Sequence, residues 1–240
     1  MPAKIALVTG ANKGIGLEIA RQLGTRGFTV YLGARNATLG EAAAAKLRSE
    51  NLDARSLLLD LNQPPTREAA ARVIQAEFQH LDVLVNNAAI VETADGPPGA
   101  VYPNVVRRVM ETNFFGTLAV TQAMLPLLRA APAARIVNLS SALGSLTLNA
   151  DPAWPFAAFQ FLGYNTSKAA VNMLTIQLAH ELRDTAIKVN AVSPGSVATD
   201  MNPQGTSTIE EGASEPVRLA LLPADGPTGG FFHSAGFYPW

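Results

Sequence analysis

Short apolar runs alternate along this chain with longer segments of helical period. Residues 4–9 (KIALVT) form a continuous apolar run ending at Gly10, the pattern of a strand buried on both faces. Residues 15–27 follow with Ile15, Ile19, Ala20 and Leu23 at helical spacing, and Gly27 as the stop. The pattern then predicts a strand at 28–34 (FTVYLGA), an Ala-rich helix at 38–50 with Thr38 as N-cap, and a strand at 54–61. A helix at 66–79, a strand at 81–88 (LDVLVNNA) and one long helix at 103–130, closed by Pro132, come next. The remaining elements are a strand at 134–141, a helix at 164–183, a strand at 187–195, a short helix near 209–220 and a last strand at 229–234.

Such alternation implies right-handed crossovers and a parallel sheet with helices on both faces. No internal repeat or low-complexity linker interrupts it, and 240 residues suit a single domain spanning 1–240. Two long irregular stretches stand out, 90–103 and 145–163, and long loops in compact domains are usually functional.

Composition narrows the chemistry. A formal net charge of −1 offers no basic field for nucleic acid or an anionic membrane. The cysteine count is zero, which excludes disulfides, thiolate catalysis and Cys-ligated metal. His80, His180 and His233 are too scattered to form a metal motif, so no metal is expected. The opening apolar run covers only residues 5–8, short of the roughly 7–15 of a secretory core or about 20 of a membrane span. A cytoplasmic location is the expectation.

The turn after the first strand reads Thr9-Gly10-Ala11-Asn12-Lys13-Gly14-Ile15-Gly16 and leads into a helix. Glycines there let the backbone approach a pyrophosphate, and the helix N-terminus presents free N–H groups to the anion. No Gly-Lys-Ser/Thr follows, so it is not a Walker loop. The end of the second strand reads Gly33-Ala34-Arg35-Asn36, without the carboxylate that would accept from a ribose 2′-OH. Arg35, with Lys13 in the turn, is placed instead to pair with a 2′-phosphate, which favours NADP(H).

Tyr164 and Lys168 stand at i and i+4, on one face of a helix. Together with Gly10-x-x-x-Gly14-x-Gly16, Asn86-Asn87-Ala88, Asn113, Ser140-Ser141 and Pro194-Gly195, in that order, the chain resembles the short-chain dehydrogenase/reductase family. The resemblance covers nearly the whole chain and is nearest the NADPH-dependent carbonyl reductases. It implies a Rossmann-like, doubly wound α/β fold: a parallel seven-stranded sheet in the order 3-2-1-4-5-6-7 within three α/β/α layers.

The resemblance also implies roles. Tyr164 would donate or accept the proton, and Lys168 would lower its pKa and hold the nicotinamide ribose. Ser141 would orient the substrate carbonyl, and Asn113 would anchor a relay water. Around the coenzyme it implies Gly10, Asn12, Lys13, Gly14, Ile15 and Gly16 at the phosphates, with Arg35 at the 2′-phosphate. Asp60 and Leu61 would lie at the adenine, Asn87, Ala88 and Ala89 at the ribose, and Pro194, Gly195, Val197 and Thr199 at the nicotinamide. A phenol of pKa near 10 needs about 4 kcal/mol of help to act as a base near pH 7.

The chain departs from the family pattern in three places. Ala89 replaces a glycine, which is expected to tighten that turn. The stretch between Ser141 and Tyr164 is longer than usual, with Trp154, Pro155, Phe156, Phe159, Phe161 and Leu162 in it, and the stretch after Gly195 is short. An insert of this kind, longer in the monomeric carbonyl reductases, argues for a monomer. Its aromatics either line a pocket for a bulky hydrophobic carbonyl substrate or pack on the helix beneath. The C-terminal Phe237-Tyr238-Pro239-Trp240 is open between a core anchor, an interface and a pocket rim. The expected activity is NADPH-dependent reduction of ketones or aldehydes. The alternatives are an oxidative secondary-alcohol dehydrogenase and a non-catalytic NADP(H) sensor.

Overall fold

The computed structural model describes residues 3–240. Its centre is one sheet: β1 (Lys4–Thr9), β2 (Phe28–Ala34), β3 (Ala54–Leu58), β4 (Val83–Asn86), β5 (Arg135–Leu139), β6 (Lys188–Val192), β7 (Phe231–His233) and β8 (Gly236–Phe237). The strand order is β3-β2-β1-β4-β5-β6-β7-β8. All pairs through β7 are parallel, in the expected seven-strand order. The short β8 adds an eighth strand by an antiparallel hairpin with β7, turning where Gly236 takes φ 137°.

Helices cover both faces: α1 (Gly14–Gly24), α2 (Ala37–Ser49), α3 (Pro64–Glu77), α4 (Pro103–Met110), α5 (Thr117–Ala130), α6 (Leu146–Asn149), α7 (Leu162–Glu181) and α8 (Ile209–Ala220). One core cluster joins Val8, Val30 and Val85 of the sheet to Ile19, Ala44 and Val217 of α1, α2 and α8. The other joins Leu7, Tyr31 and Leu84 to Ile74, Met124 and Leu178 of α3, α5 and α7. Strand residues therefore alternate between two buried faces, which is why the strands read as unbroken apolar runs. The order reverses direction between β1 and β4, the place where open α/β sheets leave a crevice at their carboxyl ends.

Three local expectations change. The N-cap of α2 is Asn36, not Thr38: Asn36 is extended and its Oδ1 accepts from the Leu39 N–H at 3.0 Å. The predicted helix over 103–130 is three pieces, because a π-helical turn at Glu111–Gly116 separates α4 from α5. There Asn113 is pulled inward to bond the backbone of Ile90, and Gly116 lies so close to Leu61 that a β-carbon would sit 2.7 Å from its Cβ. The loop at 145–163 also holds structure, with a 3₁₀ turn at Ala142–Gly144 just ahead of it and α6 within it.

Candidate active site

The turn after β1 is built against the end of β4. Thr9 Oγ1 accepts from the N–H groups of Asn87 and Ala88, both at 3.0 Å, and Asn87 Nδ2 returns to the Thr9 carbonyl at 2.8 Å. Gly10 and Gly14 take φ 64° and 56°, the left-handed region that favours glycine. At Gly16 a β-carbon would lie 2.4 Å from Asn87 Nδ2, so only glycine fits. Helix α1 then begins at Gly14, with Lys13 at the N-cap making no capping bond through its side chain and no acidic residue in the first turn. Its free N–H groups and positive end fit a phosphate, as a coenzyme cradle requires.

Of the other residues expected at the coenzyme, Thr199 comes back to this turn. Gly195 takes φ 86° after β6, and Val197 is pinned by Gly212 of α8, where a β-carbon would lie 2.5 Å from Val197 Cγ2. The chain thus returns over the cradle, bringing Thr199 Cγ2 within 3.9 Å of where a Gly14 β-carbon would be. Arg35 is exposed at the end of β2. Lys13 is already engaged: its Nζ donates to Asp200 Oδ2 at 2.6 Å. Asp60 spends one oxygen locally, accepting from the Asn62 N–H at 2.9 Å, and Leu61 is buried. Ala89 follows Asn87 and Ala88 without a positive φ, so it takes no strained conformation in place of glycine.

Ser141, Tyr164 and Lys168 converge from β5 and α7. Lys168 is buried, with its Nζ 5.6 Å from the centre of the Tyr164 ring and donating to the Leu139 carbonyl at 2.8 Å. Gly144 allows this approach, since a β-carbon there would lie 2.7 Å from the Lys168 backbone. Asn113 is buried beside them: its Nδ2 donates to Ile90 O at 2.9 Å and to Ser167 Oγ at 3.0 Å. Burial pushes the Tyr164 phenol up to about 12, while the Ser141 hydroxyl beside it pulls the other way. Burial also pulls the Lys168 ammonium down to about 8. The Lys168 ammonium lies over the ring and is held by a carbonyl, and desolvation is the largest influence on the phenol.

A family model described as short chain dehydrogenase matches residues 4–210. The chain belongs to the short-chain dehydrogenase family. It is 36% identical to mouse "Carbonyl reductase [NADPH] 1" over 282 aligned positions, covering 98% of each chain. That span exceeds the 240 residues here, so the relative carries segments this chain lacks. It is 34% identical to "(+)-neomenthol dehydrogenase" of Arabidopsis thaliana, with 95% of each covered. The structure of NADPH-bound carbonyl reductase from chicken fatty liver matches with a TM-score of 0.86 at 28% identity over the full length of both chains. Salutaridine reductase from Papaver somniferum gives 0.82 at 32% identity, over 96% of this chain and 99% of that one.

Several residues that sequence reasoning passed over shape this short-chain dehydrogenase as much as those it named. Thr9 ties the cradle to β4, as described. Ser167 links Asn113 to α7 and donates to the Tyr164 carbonyl at 2.7 Å. Asn172 accepts from Ser140 Oγ at 2.6 Å and donates to Gly144 O at 3.2 Å, fixing the serine pair to α7. Ser167 lies between Tyr164 and Lys168, and Asn172 one turn beyond, so their spacing from that pair is the signal that marks both. Asp95 carried no motif at all.

The insert aromatics form a chain of ring contacts, the first edge-on and the next two tilted. Trp154, Phe156, Phe159 and Phe161 stack in succession with ring centres 5.5, 5.9 and 6.1 Å apart. Phe156 and Phe159 remain 43% and 47% exposed, so their outer faces are not packed on a helix. The C-terminus anchors inward: Trp240 stacks on buried Phe231 at 5.5 Å and its carbonyl accepts from the Thr147 N–H at 3.0 Å. His233 stacks on Tyr238 at 4.0 Å, a packing role. No cluster of metal-ligating side chains exists among the described residues, nor any helix long and apolar enough to cross a membrane.

Proposed function

We propose that this short-chain dehydrogenase reduces ketones or aldehydes to alcohols with NADPH, with Tyr164 as proton donor and Ser141 as the group that orients the carbonyl. The observation that carries the reading is the convergence of Ser141, Tyr164 and Lys168 beside a glycine cradle whose neighbouring strand ends in Arg35 and no carboxylate. The two carbonyl reductases described above, both named with NADPH, support it.

Bound NADPH would supply the hydride; Gly10 to Gly16 would hold its phosphates, and Lys13 and Arg35 its 2′-phosphate. Ser141 Oγ–H then donates to the carbonyl oxygen, and the Tyr164 hydroxyl delivers its proton to the same atom as negative charge develops. With its phenol raised to about 12, Tyr164 carries its proton at neutral pH, the form from which it donates. Lys168 sets a positive charge beneath the ring, and Asn113 fixes the floor of the site through Ile90 and Ser167. The half-exposed aromatics of the insert favour a bulky hydrophobic carbonyl compound.

Tyr164→Phe removes one hydroxyl and leaves the cradle untouched. Its kcat should fall by about 10³-fold or more while the Kd for NADPH stays within about twofold. NADPH oxidation against a panel of bulky ketones, with coenzyme fluorescence for binding, measures both. Turnover retained in the variant would remove Tyr164 from the role, and binding without turnover in the parent would favour a sensor.

A further inference from the structure

Helix α7 carries Tyr164 in its first turn, and a helix start leaves N–H groups that its own turns cannot satisfy. Here α7 has no capping side chain of its own and no acidic residue in its first turn. The acceptors come from the remote loop after β4. Leu162 N–H donates to Gly96 O at 3.0 Å, Gly163 N–H to Asp95 Oδ1 at 2.9 Å, and Tyr164 N–H to Asp95 Oδ2 at 2.8 Å. The next N–H, of Asn165, already donates within the helix to Phe161 O at 2.8 Å.

Asp95 is 8% exposed, so this is a buried carboxylate with both oxygens committed to the helix that bears the phenol. The fit leaves no slack: a β-carbon at Gly163 would lie 3.1 Å from Asp95 Oδ2 and 3.2 Å from Val106 Cα. The same loop is fixed at two earlier points, at Thr9 through Asn87 and Ala88 and at Asn113 through Ile90. It therefore runs as a strap from the coenzyme cradle, past the π-helical turn, to the start of α7.

We infer that Asp95 is a positioning residue for Tyr164, clamping the first turn of α7 so that the phenol stands in register with Ser141 and the coenzyme cradle. The inference rests on the reductase reading, because it gives Asp95 a task only if Tyr164 transfers a proton. A charged acceptor is the appropriate choice, since the N–H groups of Gly96, Gly163 and Tyr164 and the positive end of the helix all face it.

The test compares Asp95→Ala and Asp95→Asn with the parent, using amide hydrogen exchange read by mass spectrometry, kcat and the Kd for NADPH. In Asp95→Ala, exchange across residues 160–167 should quicken about tenfold or more while α1 and α5 keep their protection. Its kcat should fall at least about tenfold with the NADPH Kd within about twofold, and Asp95→Asn, which keeps one acceptor oxygen, should fall between. Unchanged exchange at 160–167, or quickened exchange with kcat within twofold of the parent, would overturn the role. So would a loss in which NADPH affinity, kcat and protection everywhere decline together, the mark of general destabilisation. A parent with no carbonyl turnover at all would instead bring down the reductase reading, whatever the exchange pattern.

Discussion

Lys168 is 4% exposed, and burial alone pulls its ammonium from an ordinary 10.5 to about 8. The unfolded chain therefore binds the proton more tightly, and stability rises with pH between these two values. Below them the whole penalty stands, about 3 kcal/mol. Lys168→Met lifts that penalty and leaves the Leu139 carbonyl without its donor, a loss of roughly 1 kcal/mol. The variant should be more stable by about 2 kcal/mol at pH 7, raising Tm by roughly 4–8 °C, and the gain should narrow towards zero by about pH 9.5. It should also lose turnover, as expected where stability is given up for function. Thermal unfolding at the two pH values checks this; an equal or lower Tm at pH 7 would mean that the buried ammonium costs the fold nothing.

Elements meet at the site through close backbone approach, and Gly144 is where this is most exposed to test. The 3₁₀ turn that follows Ser141 lies against α7 with no room for a side chain: a β-carbon would sit 2.7 Å from Lys168 C and Cβ and 2.9 Å from Ala169 N. Gly144→Ala must push the turn and the helix apart, at about 1–3 kcal/mol, and so separate Ser141 from Tyr164. The expected result is kcat down by about tenfold or more with NADPH binding kept, since the cradle lies on β1 and α1. Binding lost in parallel with kcat would show that the disturbance spreads beyond this contact.

The same scale explains what could be read from the chain beforehand. Strands buried on both faces leave unbroken apolar runs, so β1, β2, β4 and β5 were legible, and Gly10, Gly14 and Gly16 declared the cradle by spacing. The π-helical turn was not, because residues 103–130 keep helical composition throughout. What interrupts them is the bond from Asn113 to Ile90, 23 positions away. Thr38 looked like a cap because threonine commonly is one, but Asn36 had reached the extended conformation first. Asp95 was invisible for a similar reason: its partners lie 68 and 69 residues further on, and no local pattern encodes them.

At the scale of the whole molecule, an ion pair joins the turn after β1 to a segment 187 residues further along the chain. Lys13 belongs to the cradle at β1, and Asp200 to the stretch after β6 that returns over it; both are largely exposed, at 67% and 79% of their side chains. Arg35, the residue after β2, is exposed. A 2′-phosphate must therefore share Lys13 with a carboxylate or displace it, and Asp200 opposes the preference that Lys13 and Arg35 create. An exposed pair is worth at most about 1 kcal/mol, so the opposition is modest. Asp200→Asn should tighten NADPH about two- to fivefold at low salt and leave NADH within about 1.5-fold, because NADH has no phosphate at that position. Lys13→Ala should weaken NADPH alone, and Asp200→Asn placed on that background should have no further effect. Fluorescence titration with both coenzymes at two ionic strengths separates the terms. If Asp200→Asn moved NADPH and NADH equally, the pair would be a latch closing the crevice, and the choice of coenzyme would fall to Arg35.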